Sequence, residues 1–261
     1  MLNTPSRSYV QIGPFTLHFY ALCILLGIIT AIALSIHRSK ETSVSRDQIF
    51  EIATLVIPVG IVGGRLYHVI SSPHLYFDSL RSFLNIFKIW EGGMGIWGAI
   101  FAGVVSGWIY ARRRNLDTEL LLTIVTPGLL FAQSIGRWGN WFNGELFGSP
   151  TSLPWALHVP LYLRPHGYEG FTTFHPVFLY ESLWCLVGGI MLLRVKAILG
   201  KNLFALYVVW YCTGRTFLEL LRIDSAPHFF GMRLNFWVSL AVLLAASVYF
   251  LKNNKNIASK G

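Results

Sequence analysis

Read as a sequence of apolar and polar positions, the chain is a succession of long apolar runs separated by polar connections. Seven runs can be marked, at about 14–36, 49–70, 94–111, 119–136, 176–194, 203–221 and 234–251. Each is near the ~20 residues that a helix needs to cross ~30 Å of hydrocarbon. The pattern predicts an all-α polytopic membrane protein with seven transmembrane helices, a single integral membrane domain over residues 1–261. Two connections are long. The first, 71–93, contains an amphipathic piece from Phe83 to Trp90 that suits an interfacial position. The second, 137–175, sets Pro150, Pro154, Pro160 and Pro165 among aromatic residues. It predicts a small extracytoplasmic cap of turns and short strands between spans four and five. Gly103 and Gly107, four apart in the third run, suit close helix contact.

Composition agrees with a membrane class: 54% of residues are hydrophobic and 13% charged, with 9 Trp and 19 Phe. Charge then orients the chain. Arg38, Lys40 and Arg46 follow the first run, Arg112, Arg113 and Arg114 the third, Arg194, Lys196 and Lys201 the fifth, and Lys252, Lys255 and Lys260 the seventh. Twelve of the 21 basic residues thus fall on one side. By the positive-inside rule the N-terminus is outside and the C-terminus cytoplasmic. A net charge of +9 fits contact with an anionic leaflet and needs no nucleic acid. The first run is too long, and Arg7 too weak a basic flank, for a cleaved signal, so it reads as a retained span. Cys23, Cys185 and Cys212 all lie within runs, without metal-ligand or redox spacing.

Candidate chemistry is concentrated in Gly136-Arg137-Trp138-Gly139-Asn140-Trp141-Phe142-Asn143-Gly144-Glu145-Leu146-Phe147-Gly148. Polar and charged groups at membrane depth are expensive, and their default reading is functional. The glycines let backbone approach a ligand, and Arg137 offers a planar fork that matches phosphate. A site for a phosphate-bearing lipid is the first expectation. Tyr211, Arg215 and Glu219 follow at i, i+4 and i+8, with Arg222 three residues on, which puts them on one helical stripe. They read either as a structural ion pair or as a phosphate clamp held by Glu219. His175-Pro176 opens the fifth run, with Tyr180 and Glu181 just beyond. Tyr20 stands at the start of the first run, and Arg65 follows Gly63-Gly64 in the second, where it reads as a ligand or as the partner of a carboxylate. HExxH, GxSxG, P-loop and paired-Asp motifs are all missing, which removes support for metal-dependent phosphotransfer, lipase-type serine catalysis and nucleotide hydrolysis.

Together these motifs resemble the bacterial prolipoprotein diacylglyceryl transferases over nearly the whole chain. The family signature Gly-Arg-x-Gly-Asn-x-x-Asn-x-Glu-x-x-Gly is met by Gly136, Arg137, Gly139, Asn140, Asn143, Glu145 and Gly148. His-Pro-x-x-Leu-Tyr-Glu is met by His175, Pro176, Leu179, Tyr180 and Glu181, and Tyr-x-x-x-Arg-x-x-x-Glu-x-x-Arg by Tyr211, Arg215, Glu219 and Arg222. The resemblance implies transfer of the diacylglyceryl group from phosphatidylglycerol to a lipobox cysteine of a prolipoprotein signal peptide, in the bacterial cytoplasmic membrane, without cofactor or metal. It implies catalytic roles for Arg137, Arg215, Tyr20 and His175. Substrate binding falls to Asn140, Asn143, Glu145, Gly148, Glu219, Tyr211, Arg65 and Glu181. One position departs from the pattern: many members carry a His where this chain has Trp97, in Glu91-Gly92-Gly93-Met94-Gly95-Ile96-Trp97-Gly98. The proton acceptor is therefore left among Tyr20, His175 and Glu145.

Overall fold

Each of the seven apolar runs becomes one long helix. A computed structural model of the chain describes residues 1–89, 92–195, 200–224 and 226–258; Trp90, Glu91, Lys196 and Lys260, named above, lie outside them. The long helices are α1 (Phe19–Ser39), α2 (Arg46–Ser71), α4 (Ile96–Arg113), α5 (Thr118–Asn143), α6 (Val177–Arg194), α7 (Gly200–Glu219) and α8 (Leu234–Ala258), with a short α3 at Leu80–Leu84. The protein is an all-α membrane protein. Among the described residues, five helices are long and apolar enough to cross a bilayer by themselves: α1, α2, α5, α6 and α8. The expectation of seven such helices is met in helix number but not in apolarity. Helix α4 ends on Arg112-Arg113, and α7 carries Lys201, Arg215 and Glu219.

The chain forms two compact units, one of Met1–Ser35 with Leu122–Gly261 and the other of Ile36–Leu121. In the second unit, α2 begins in a capping box. Ser45 N–H donates to Gln48 Oε1 at 2.8 Å, and Gln48 N–H donates to Ser45 Oγ at 3.2 Å. Helices α2 and α4 pack through small residues. A Cβ on Gly64 would stand 3.3 Å from Gly95 O, and Gly103 and Gly107 both face Val56, the packing role expected of them. Where lipid leaves no hydrophobic drive between helices, such close backbone approach supplies the dispersion contacts instead. Asn115, at φ 52, terminates α4 in the left-handed region that Asn tolerates. Asp117 Oδ1 then accepts from Glu119 N–H at 2.8 Å and caps α5.

In the first unit, α1 and α5 run past each other along facing small residues. Tyr20, Ile24, Gly27 and Ala31 meet Gly139, Gly136, Ala132 and Gly128 in antiparallel order. Helices α6 and α7 are joined by a tryptophan pair. The rings of Trp184 and Trp210 stack at 4.4 Å, and each indole N–H donates to the other's backbone carbonyl, at 2.9 and 3.0 Å. Both polar groups are thereby satisfied without water. Ser134 and Ser182 exchange hydroxyl-to-carbonyl bonds at 2.9 Å and tie α5 to α6 in the same way.

The segment between α5 and α6 has the expected short strands, but its boundary moves. Helix α5 continues to Asn143, so residues 137–143 of the expected cap are helical. The glycines at 136 and 139, expected to let backbone approach a ligand, admit Ile24 and Tyr20 of α1 against the helix. Gly144, at φ 64, ends it. Beyond it β4 (Leu157–His158) pairs antiparallel with β5 (Thr173–Phe174), and β1 (Leu2–Asn3) adds parallel to β4. Phe147, Leu157, Val159, Phe174 and Phe178 form the core beneath this sheet. Two hairpins complete the first unit: β2 (Tyr9–Ile12) with β3 (Phe15–His18), leading into α1, and β6 (His228–Phe229) with β7 (Met232–Arg233), leading into α8.

Candidate active site

Charged side chains of α5, α6 and α7 in the first unit form one continuous ladder. Arg137, on α5, reaches across to α6, where its Nη2 lies 2.5 Å from Glu181 Oε1. Glu181 Oε2 takes Arg215 Nη1 of α7 at 3.2 Å. Arg215 Nη2 donates to Glu219 Oε2 at 2.9 Å. Tyr211 stands one turn before Arg215. Its hydroxyl accepts from Arg137 Nη2 at 3.2 Å and donates to Glu181 Oε1 at 3.3 Å. The helical stripe read from sequence is therefore real: Arg215 and Glu219 do form an ion pair, and Arg215 also belongs to Glu181.

Beyond Glu219 the ladder leaves the helix. Arg233 Nε donates to Glu219 Oε1 at 2.8 Å, and Arg222 Nη1 lies 3.7 Å from Oε2. Arg222 holds Asp224 with a two-pronged fork at 2.8 and 2.7 Å, and Arg233 Nη2 reaches the same carboxylate at 2.9 Å. Burial pushes the Asp224 carboxyl up. Hydrogen bonds and charge from Arg222 and Arg233 outweigh this, and the group is held below the usual carboxylate value. Arg137, Arg215, Arg222 and Arg233 face Glu181, Glu219 and Asp224, an excess of one positive charge. Among the ladder's arginines exposure rises from 7% at Arg233 and 9% at Arg222 through 14% at Arg215 to 21% at Arg137, so Arg137 is the arginine most open to a ligand.

Around Arg137 stand the remaining residues of the glycine-rich motif. Asn140 and Asn143 both donate through Nδ2 to one oxygen, Oε1 of Glu145, at 2.9 and 3.2 Å. The carboxylate is oriented by two amides while the residue stays exposed. Tyr20 lies against Gly139, where an added Cβ would come within 2.6 Å of its ring. His175 sits just ahead of α6, outside the helix. Its Nδ1 is 3.1 Å from Tyr180 OH, which accepts from Trp155 Nε1 at 2.9 Å. Burial lowers the His175 pKa, so the ring is neutral near pH 7.

Gly148 is placed differently from the ligand-facing role expected of it. It is buried, its N–H donates to His175 O at 2.8 Å, and the next residue, Ser149, donates to Leu221 O at 2.8 Å. Three chain segments converge there, and a Cβ would stand 2.8 Å from both Leu221 O and Val177 Cγ2. Gly148→Ala is accordingly expected to destabilise the protein by about 1–3 kcal/mol through overpacking, seen as a lowered unfolding midpoint in detergent.

Arg65, in the other unit, is likewise used internally. Its Nε donates to Ile86 O at 2.8 Å and its Nη1 to Gly92 O and Gly93 O at 2.5 and 2.9 Å. Its Nη2 donates to Asn85 O and, at 3.3 Å, to Lys88 O. The side chain has five N–H groups, and five carbonyls of the 85–93 segment receive them. The partner anticipated from sequence was a ligand or a carboxylate; the structure supplies a ring of peptide oxygens. Sequence reasoning missed Arg233, Asp224 and Trp155. Arg233 opens an apolar run and reads as an ordinary interfacial charge, and nothing local in the sequence pairs it with Glu219.

Residues 7–252 match the prolipoprotein diacylglyceryl transferase family. Among similar curated proteins, one from Cutibacterium acnes is 46% identical over 96% of this chain and 86% of its own length. One from Bifidobacterium adolescentis is 42% identical over 96% and 79%. One from Streptomyces avermitilis is 44% identical over 97% and 75%. All three carry the name phosphatidylglycerol–prolipoprotein diacylglyceryl transferase.

Proposed function

The chain belongs to the prolipoprotein diacylglyceryl transferase family, and we propose that it transfers the diacylglyceryl group of phosphatidylglycerol to a prolipoprotein lipobox cysteine, forming a thioether and releasing glycerol 1-phosphate. The observation that carries this reading is the ladder from Asp224 to Arg137, with its excess positive charge and its most open arginine beside Tyr20, Asn140 and Glu145.

In the proposed reaction the cysteine sulfur, as thiolate, attacks the glyceryl carbon that bears the phosphate. The C–O bond breaks, and its electron pair leaves on the phosphate oxygen. A phosphodiester monoanion becomes a monoester, so negative charge grows on the phosphate as the bond stretches. Arg137 and Arg215 are fixed in advance by Glu181, and preorganised cations of this kind stabilise developing charge without reorganising. The thiol proton passes to a nearby base. Glu145 suits that role, since both amides bind the same carboxylate oxygen. His175 is neutral, but its Nδ1 is engaged by Tyr180. A thiol is already partly ionised near neutral pH, and neighbouring arginines lower its pKa further. A strong dedicated base is then unnecessary, which suits a chain with Trp97 where many relatives have His.

The same proposal takes all seven long helices as spans, with α4 and α7 crossing beside more apolar neighbours. The N-terminus is outside, the C-terminus is in the cytoplasm, and the 137–175 segment lies on the outer face of a bacterial cytoplasmic membrane. The basic helix ends and connections that carry Arg38, Lys40 and Arg46, and Arg112 to Arg114, support this orientation. The test is purified protein in detergent with labelled phosphatidylglycerol and a lipobox peptide. The expected result is a mass gain on the cysteine peptide, none on its Cys→Ser counterpart, and release of glycerol 1-phosphate. Saturable phosphatidylglycerol binding without product, in a folded sample, would instead point to a lipid-binding or transport protein.

A further inference from the structure

We propose that Arg233 is a positioning residue for the transfer reaction: by neutralising Glu219 from behind, it leaves the charge of Arg215 available to a phosphate. The inference rests on the transferase reading above and adds to it a residue outside all three sequence motifs.

The geometry divides the two oxygens of Glu219 between two sides. Oε1 takes Arg233 Nε at 2.8 Å and the side-chain amide of Asn235 at 3.4 Å, both from the segment that enters α8. Oε2 takes Arg215 Nη2 at 2.9 Å. The Glu219 side chain is fully buried and Arg233 is 7% exposed, so little water screens this pair. Arg233 is itself fixed by Asp224, through Nη2 at 2.9 Å and through Nη1 to the backbone carbonyl. A buried carboxylate with Arg215 as its main partner would draw the full charge of that guanidinium. With Arg233 on its other oxygen, Glu219 still orients Arg215 but no longer cancels it. Arg233 contributes the unit of charge by which the ladder's cations exceed its anions, yet it stands on the far side of Glu219 from Arg215 and Arg137. Its effect on the substrate is therefore indirect.

A purely structural anchor for the β6–β7 hairpin predicts lost stability alone. Charge balancing predicts more. Arg233→Met keeps length and bulk but removes the charge, and the ladder becomes neutral. Because phosphate charge grows as the C–O bond breaks, the loss should fall mainly on kcat. Asp224→Asn in the same chain restores the excess of one positive charge. It also frees Arg222, whose Nη1 is 3.7 Å from Glu219 Oε2, to take over the neutralising role.

The experiment measures kcat and KM for diacylglyceryl transfer to a lipobox peptide, together with the unfolding midpoint, in wild type, Arg233→Met and Arg233→Met/Asp224→Asn. Expected are a fall of about tenfold or more in kcat for the single variant and recovery of most of it in the double variant, with the midpoint still lowered. A folded Arg233→Met enzyme within threefold of wild type, or a double variant no better than the single one, would overturn the proposal. If Arg233→Met cannot be purified folded, Asp224→Asn alone decides the matter. A kcat at or above wild type supports charge balancing, and a tenfold fall overturns it. Absence of transfer by wild type would overturn the transferase reading itself, separately from the role of Arg233.

Discussion

Replacing Arg137 by alanine is expected to lower the rate of diacylglyceryl transfer by roughly 10³-fold, in line with the loss of one preorganised group that stabilises transition-state charge, while leaving a folded membrane protein. The asymmetry follows from the ladder. Arg137 is the most exposed of its arginines, and Glu181 keeps Arg215 at 3.2 Å and the Tyr211 hydroxyl at 3.3 Å after Arg137 is removed. No buried charge is left without a partner. Arg137→Lys should fare nearly as badly in rate. A lysine supplies the charge but not the planar fork that meets Glu181, Tyr211 and a phosphate together. Initial rates with labelled phosphatidylglycerol, set beside unfolding midpoints in detergent, check both parts. A variant that keeps wild-type turnover would remove Arg137 from the reaction.

Glu181 should behave in the opposite way. It is the one carboxylate that touches α5 and α7 from α6, with a side chain only 4% exposed. Glu181→Gln leaves Arg137 and Arg215 facing each other across a site of low dielectric. Removing one partner of a buried ionic group strands the other, a loss of about 3–5 kcal/mol. The expected result is a large drop in unfolding midpoint, followed by intrinsic tryptophan fluorescence, together with lost activity. A midpoint close to wild type would mean that the two arginines do not depend on this carboxylate for their placement.

These two residues also illustrate what sequence can reveal. Apolar length located every long helix, because the bilayer imposes one length scale and allows few alternatives within a run. Helical spacing aligned Tyr211, Arg215 and Glu219, because i, i+4 contacts are local. The partner of Arg137 was not legible in the same way. Glu181 is 44 residues further on in another helix, and only packing of α5 on α6, with Ser134 and Ser182 between them, brings the two together. The end of α5 was also hidden. The cap was expected to begin at residue 137, but side chains of α1 occupy the space that Gly136 and Gly139 leave, and the helix runs on to Asn143. Gly148 and Arg65 were legible as special positions, yet not in kind: one is a crossing point of three segments, the other a clamp on its own loop. Strand β1 was beyond reach as well, because it pairs with a strand more than 150 residues away. Local pattern finds elements and local pairs; it does not find which distant charge completes a network.

The central claim is that Arg137 and Arg215 grip the phosphate of the lipid. It is tested most directly by titrating glycerol 1-phosphate, the expected product headgroup, into wild type and Arg137→Ala in detergent, with uncharged glycerol as control. The account predicts saturable binding to wild type, at least about tenfold weaker binding to the variant, a difference of roughly 1.4 kcal/mol, and no comparable binding of glycerol. Equal affinity in the two proteins, or glycerol binding as well as its phosphate ester, would contradict it.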